Sequence, residues 1–507
     1  MSYWDLVNKV RQRVKEEQGT LRKASSLRVA LCYPSSYSVG MSSLGYQTIY
    51  REIHLHPDAG AERAFLPDEP GEYRKSQSPI FTYEGETPLS DFPVIAFSIA
   101  YELELAGIFE MLDLSGIPLL RQDRTERDPL ILAGGPLTNS NPEPLAPFVD
   151  LIILGEGEEL IHDLLDALTG MNRDELLSHF SNRRGCYVPG KSSHVPAIAK
   201  VDDSRLPARS QILTRRAVLA SMFLIEPERG CSRECDYCVM RRTTNDGMRP
   251  VPPDKVISLI PENARRVGLV GAAITDHPMI NEIVYAIVAS GREIGISSLR
   301  ADRLNEELVS LLARGGYRTL TTASDGASER LRRIIHRKTN ESHLLRAAEL
   351  AKSAGLQRLK LYEMVGLPDE TSEDIDELIR FTLELAKVTQ ISLSISPFVA
   401  KRNTPLDGAP FEPIPSLERK LLKIRAGLKD KIEVSPSSAR WSWVEYMLAQ
   451  GGEEAGLAAL DAWRAGGGFS SWKRAFINRE VKTFRRRPVP DDHSDIENFN
   501  ANENRIE

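Results

Sequence analysis

The 507-residue sequence is short of several things, and each absence narrows what the protein does. It has no apolar run long enough to cross a bilayer, and its opening Met1-Ser-Tyr-Trp-Asp-Leu lacks the basic stretch and apolar core of an export signal. A cytoplasmic protein with no membrane partner is therefore expected. Cysteine is scarce. There are five, of which Cys231, Cys235 and Cys238 sit close together, a distribution that fits a reducing interior better than a disulfide framework. An excess of positive charge is missing as well: 65 Lys and Arg against 71 Asp and Glu give a formal net charge of -6, which counts against a nucleic-acid partner. No repeat of solenoid type is present. What remains, 41% hydrophobic and 27% charged, is the composition of a globular chain with two or three domains.

What is present is organised around residues 229 to 239, Arg-Gly-Cys-Ser-Arg-Glu-Cys-Asp-Tyr-Cys-Val. Cys231, Cys235 and Cys238 stand at C-x3-C-x2-C spacing, the kind of short loop by which thiolates wrap a compact metal or iron-sulfur core. Three thiolates are one ligand short of a closed set, and no histidine lies between His194 and His277 to complete a structural zinc site. The fourth metal position is expected to be open, as in sites that do chemistry. Three unconnected buried thiols would satisfy the count but not the clustering. The motif, with Tyr237 before its last cysteine, resembles the signature of the radical S-adenosylmethionine (SAM) superfamily. The resemblance implies a 4Fe-4S cluster on Cys231, Cys235 and Cys238, with the amino and carboxylate groups of SAM on the open iron. It further implies that the reduced cluster cleaves SAM to a 5'-deoxyadenosyl radical, with a flavodoxin or ferredoxin as reductant.

Ahead of that loop, strand and helix alternate. Trp4, Leu6, Val7, Val10 and Val14 recur near helical spacing and predict an amphipathic N-terminal helix within residues 1–25. Leu27 to Pro34 has strand length and runs into a small-residue loop, Ser35 to Gly40, and a helix from about Met41 to Ile53. Further strands are expected at Pro93–Ser98, Pro129–Gly135 and Asp150–Gly155, with helices at Glu102–Ser115 and Glu158–Leu168. This α/β pattern predicts a Rossmann-like, doubly wound parallel sheet over 26–170, whose ligands bind beyond the carboxyl ends of the strands. Small or polar residues gather at those ends: Ser38, Ser98, Tyr101, Gly134, Gly135, Gly155 and Gly157. Together they could line a pocket for a large flat cofactor, although glycines that merely make turns explain any single loop as well. Residues 28 to 168 resemble the cobalamin-binding domain of many radical SAM enzymes. The stretches that carry the resemblance are Leu132-Ala-Gly-Gly-Pro, Asn141-Pro-Glu-Pro-Leu and Asp150-Leu-Ile-Ile-Leu-Gly-Glu-Gly-Glu-Glu. It implies cobalamin against these seven residues. The Asp-x-His-x-x-Gly element that gives cobalt an imidazole is missing, so either cobalt is bound without a protein imidazole or the domain has kept its fold and lost its ligand.

Residues 171–215, with Pro189, Gly190, Pro196 and Pro207, read as a connector. Over 216–415 six strands alternate with helices, at 217–225, 268–273, 295–299, 319–323, 359–366 and 391–398, and predict a partial (β/α)6 barrel of TIM type. The superfamily resemblance then implies SAM contacts one by one. Gly271 and Ala272 fall at its amino group, where Ala273 replaces the Glu of the relatives' Gly-Gly-Glu. Ser298 and Arg300 fall at its ribose and carboxylate, Asp325 at a position where closer relatives have Glu, and Val365 and Gly366 on the adenine side. Lys401 and Arg402 are candidates for an anionic substrate, or simply solvated cations. Residues 416–480 read as a small helical region in which Trp441, Trp443, Trp463 and Trp472 form core, and the charged stretch 481–507 as a disordered tail.

These readings imply a radical SAM enzyme acting on a small-molecule or peptide substrate, with cobalamin-dependent methylation or rearrangement at an unactivated carbon as the leading expectation. A methylthiotransferase-like enzyme would need three more cysteines for a second cluster, and only Cys32 and Cys186 remain. A non-catalytic cobalamin- or cluster-binding regulatory module is the third reading. In it, Ala273 and Asp325 would mark lost catalysis.

Overall fold

The computed structural model describes residues 2–240, 247–297, 299–429 and 431–483; Ser298 and nearly all of the expected tail lie outside them. A helix from Tyr3 to Lys15 opens the chain, and Ser2 and Asp5 close a capping box at its start. Its buried stripe, Leu6, Val7 and Val10, packs on the first of the sheets.

That sheet has six strands: β1 (Leu27–Tyr33), β2 (Ala59–Phe65), β3 (Val94–Ser98), β4 (Leu130–Gly134), β5 (Leu151–Ile153) and β6 (Cys186–Tyr187). Their order is β2-β1-β3-β4-β5-β6, parallel throughout except for β6. Successive strand residues face opposite sides. Val29, Leu31 and Val94 bury against one apolar cluster, and Ala30, Cys32, Ile95 and Phe97 against another. Coverage of both faces is why these strands are nearly continuous apolar runs in the sequence. The order reverses between β1 and β3, which is where a parallel sheet opens a crevice for a ligand.

β2 carries no β-branched residue and gave no strand signal. It is held instead by Arg63, fully buried, whose Nη2 lies 2.7 Å from Glu17 Oε2 and whose Nε lies 2.5 Å from Glu84 Oε1.

The second half starts with β7 (Met222–Ile225) and a small antiparallel pair, β8 (Glu228–Arg229) and β9 (Arg249–Pro250). β10 (Arg266–Leu269), β11 (Glu293–Ile296), β12 (Thr319–Ala323), β13 (Arg358–Val365) and β14 (Ile391–Pro397) complete the six barrel strands. They form two parallel arcs, β11-β10-β7 and β12-β13-β14, joined among the described residues by a bridge between Leu299 and Thr322. The seventh strand, β15 (Glu433–Pro436), lies within the stretch read as helical.

Three C-terminal helices, Ala439–Gln450, Glu453–Arg464 and Phe469–Asn478, bolt the barrel to the first sheet. Asn141 Nδ2 donates to the carbonyls of Leu448, Ala449 and Gly451 at 3.0, 3.0 and 2.7 Å, satisfying the open end of the first of these helices. Gly456 passes so close that a Cβ would stand 2.0 Å from the Pro144 carbonyl oxygen. Among the described residues no helix is long and apolar enough to cross a membrane.

Candidate active site

The cysteine loop leaves β8 through Gly230, at a φ of 97° that glycine adopts without steric cost. Side chains from several barrel loops then hold it. Ser232 Oγ and Arg233 Nε donate to Asp276 Oδ2 at 2.6 and 2.7 Å. The Asp236 amide donates to the Ile335 carbonyl at 3.1 Å, and its carboxylate meets His336 Nδ1 at 2.7 Å. Tyr237 Oη donates to Asp325 Oδ2 at 2.6 Å, and Arg337 Nε stands 3.1 Å from the same oxygen. Asp325, with a φ of 61°, thus fixes the loop from the end of β12.

Cys235 is buried, and Cys231 and Cys238 are half-buried. Burial pushes the Cys238 thiol up to about 11, and the neighbouring Cys235 and Cys231 push it the same way. Burial also raises Cys231, while the Arg233 amide and the Arg300 guanidinium pull it back. Thiols that disfavour one another's ionisation are neighbours, and a bound cluster would relieve that repulsion and take them as thiolates. Among the described residues no group of three or more His, Cys, Asp or Glu is already arranged to hold a metal ion. The three soft donors share one loop without being preassembled, and their chemistry fits iron-sulfur ligation. Cys32 and Cys186 are buried in β1 and β6, so they form no second set beside this one.

Around the loop the structure places the other expected contacts unevenly. Gly271 follows β10 with no room for a side chain, since a Cβ would stand 2.3 Å from Glu228 Oε1; Ala272 is exposed. Arg300 is buried near Cys231, with Nη2 3.1 Å from Asp302 Oδ1 and Nε 3.6 Å from Asp276 Oδ1. Val365 is buried, and Gly366 makes the turn after it at a φ of 83°. Met364, one residue earlier and so on the opposite face, lines the cavity described next.

Where the barrel mouth meets the first sheet, a cavity of about 440 Å³ is lined by Leu103, Tyr237, Met364, Ser396, Lys401 and Trp441, among others. Lys401 Nζ donates to Glu102 Oε1 and to Glu445 Oε1, each at 2.7 Å. Arg402 Nη1 donates to Glu143 Oε2 at 2.7 Å, and its Nη2 to the Gln450 and Gly451 carbonyls at 3.1 and 3.0 Å. The two cations considered for an anionic substrate therefore tie the barrel to the first sheet and the C-terminal helices. Lys401→Met would leave the buried Glu102 facing Glu445 without a cation. We expect it to lower stability by about 3 kcal/mol, read as a shifted urea midpoint at unchanged slope.

At the β1/β3 crevice Ser38 and Ser98 are half-buried and Tyr101 is 47% exposed. A Cβ on Gly134 would meet nothing nearer than Ile153 at 3.8 Å, and one on Gly157 nothing nearer than Ile153 at 3.4 Å, so both leave room beside the end of β5. Gly135 and Gly155 differ. There a Cβ would stand 2.6 Å from the Ile99 and Ala199 carbonyl oxygens respectively, and these glycines serve the close approach of the chain to itself. The loops 34–43, 99–104, 135–141 and 154–159 contain no histidine.

Residues 225–382 match the family model of the radical SAM superfamily, and residues 45–189 match that of the N-terminal region of radical SAM proteins. The cysteine loop and strands β10 to β13 lie inside the first of these. The chain belongs to the radical SAM superfamily. It is 27% identical over 443 residues to an uncharacterized protein of Methanocaldococcus jannaschii, covering 84% of this chain and 89% of that protein. It is 24% identical over 267 residues to an uncharacterized methyltransferase of Pyrococcus horikoshii, covering 50% of this chain and 58% of that one. Among solved structures it is similar in fold to the cobalamin-dependent SAM radical enzyme OxsB with aqua-cobalamin bound. That match has 16% identity and a TM-score of 0.52, and covers 72% of this chain and 53% of that one. The same enzyme with aqua-cobalamin and SAM bound matches with a TM-score of 0.51, 16% identity and coverage of 80% and 56%. The chain thus spans little more than half the length of that enzyme.

Proposed function

We propose that the protein is a cobalamin-dependent radical SAM enzyme that methylates or rearranges an unactivated carbon of a small-molecule or peptide substrate in the cytoplasm, reduced by a flavodoxin or ferredoxin. The observation that carries this reading is the cavity of about 440 Å³ lined together by Tyr237 of the cysteine loop, Met364 and Ser396 of the barrel strands, and Leu103 of the loop after β3. Cys231, Cys235 and Cys238 would hold the cluster. Ser38, Ser98, Tyr101, Gly134 and Gly157 would hold cobalamin. When bound, the two cofactors supply a 5'-deoxyadenosyl radical and a transferable methyl group.

The chain's own part is positioning and exclusion of water. Tyr237 and Asp325 keep the cysteine loop from shifting against the mouth. Glu102, Lys401 and Glu445 lock the wall between the two halves. Met364 and Trp441 keep the chamber apolar on two sides, and Ser396 offers a hydroxyl to orient a polar group of the substrate. A chamber with little water protects a radical from quenching. The cobalamin-dependent neighbour and the methyltransferase relative support this reading over a regulatory module.

The test is to purify the protein anaerobically with cobalamin supplied and to follow methyl-labelled SAM. Label appearing on protein-bound cobalamin is the expected result. A filled cluster with no cobalamin retained would leave a radical SAM enzyme whose first sheet is a scaffold.

A further inference from the structure

Strand β13 alternates along its length. Leu359, Leu361 and Val365 are buried in the apolar cluster, and Lys360, Tyr362 and Met364 share the opposite face. Met364 lines the cavity at the barrel mouth, so this face looks into the barrel and Lys360 and Tyr362 stand below the cavity. Strand register adds their neighbours: Thr321 of β12 and Ser392 of β14 beside Lys360, and Ser394 beside Tyr362. The interior of a barrel of this type is ordinarily filled by branched apolar side chains. Here it is polar, and among the described residues none of the side chains of Thr321, Lys360, Tyr362, Ser392 and Ser394 makes a hydrogen bond within the chain. Ser392 is only 8% exposed, and a buried hydroxyl without a partner carries a cost that a ligand would remove. Lys360 Nζ lies 4.7 Å from the centre of the Tyr362 ring, which turns the ammonium toward the mouth. No carboxylate pairs with it among the described residues. Glu433, in the same register row across β14, is taken by Arg358 at 2.9 Å, whereas Lys401 at the mouth has both Glu102 and Glu445. One ammonium among hydroxyl donors balances one negative charge, which fits a carboxylate better than a phosphate dianion.

We propose that Lys360, with Ser392 and Ser394, receives a terminal carboxylate of the substrate, whose other end reaches Met364 at the mouth. The inference rests on the reading of this chamber as the substrate site. Lys360 and Met364 are four positions apart, about 13 Å along the strand, and that span sets the length of the group between the carboxylate and the reacting carbon.

The experiment measures, by calorimetry, dissociation constants of the reconstituted protein for octanoate, octanol and octyl phosphate, with iron and 5'-deoxyadenosine release measured on the same samples. Wild type is expected to prefer octanoate to octanol by about tenfold or more, the scale of a hydrogen bond to a charged group. In Lys360→Met that preference is expected to fall to within about threefold of unity while iron content stays at the wild-type level. Lys360→Gln keeps a polar end over Tyr362 without the charge, and it carries the test if the Met variant fails to fold. The carboxylate site is overturned by a preference that survives loss of the charge, by wild type that binds none of the three or does not favour octanoate over octanol, or by tighter binding of octyl phosphate. If 5'-deoxyadenosine is still released in that case, the enzyme reading stands without the site. No release from fully loaded wild type overturns both.

Discussion

Replacing Cys231, Cys235 and Cys238 together by alanine is expected to abolish iron binding and to lower 5'-deoxyadenosine release below detection, while the apo protein keeps its fold. The first part follows from the donor count. These are the clustered thiols of the chain, and Cys32 and Cys186 are sealed inside strands where they cannot substitute. The second part follows from what holds the loop in place. Ser232, Arg233, Asp236 and Tyr237 bond to Asp276, Ile335, His336 and Asp325, and none of those contacts passes through sulfur. The urea midpoint of the apo variant should therefore move by no more than about 1 kcal/mol from that of apo wild type. Iron and sulfide assays, chromatography for 5'-deoxyadenosine and a denaturation curve check the three statements separately. A variant that kept iron would contradict the assignment of the ligands.

Arg63→Ala is expected to cost about 3 to 5 kcal/mol, a large part of the total stability of an ordinary domain. The side chains of Arg63, Glu17 and Glu84 are 1%, 0% and 4% exposed, so the substitution strands two carboxylates in the interior. Glu17 also takes Tyr37 Oη at 2.7 Å, and Phe65 at the end of β2 packs edge-on against Tyr37 with ring centroids 5.2 Å apart. Tyr37 is the neighbour of Ser38, so loosening β2 should disturb the β1/β3 crevice as well. Urea denaturation reads the stability term. Glu84→Gln added to Arg63→Ala is expected to recover part of the loss, because it removes one of the stranded charges.

Much of this could be read from the sequence because it is local. The strands buried on both faces, such as Leu27–Tyr33 and Leu130–Gly134, announce themselves as apolar runs, and the cysteine spacing is a property of eight residues. β2 is invisible because Ala-Gly-Ala-Glu-Arg-Ala-Phe has no strand former at its centre, and its support comes from a buried ion pair with residues 46 and 21 positions away. β15, Glu433–Pro436, is too short and too exposed to show alternation. At the site, non-local pairing was the obstacle. Lys401 and Glu102 are 299 positions apart, so no pattern foretold that this cation is neutralised inside the protein. Val365 and Met364 show how a single position of strand register decides which side chain faces the chamber.

Release of 5'-deoxyadenosine from SAM by the reduced, cluster-loaded wild-type protein tests the central claim most directly. The account predicts release that requires all three cysteines, from protein holding one 4Fe-4S cluster per chain. A fully loaded cluster with SAM bound and no 5'-deoxyadenosine formed after reduction would contradict it.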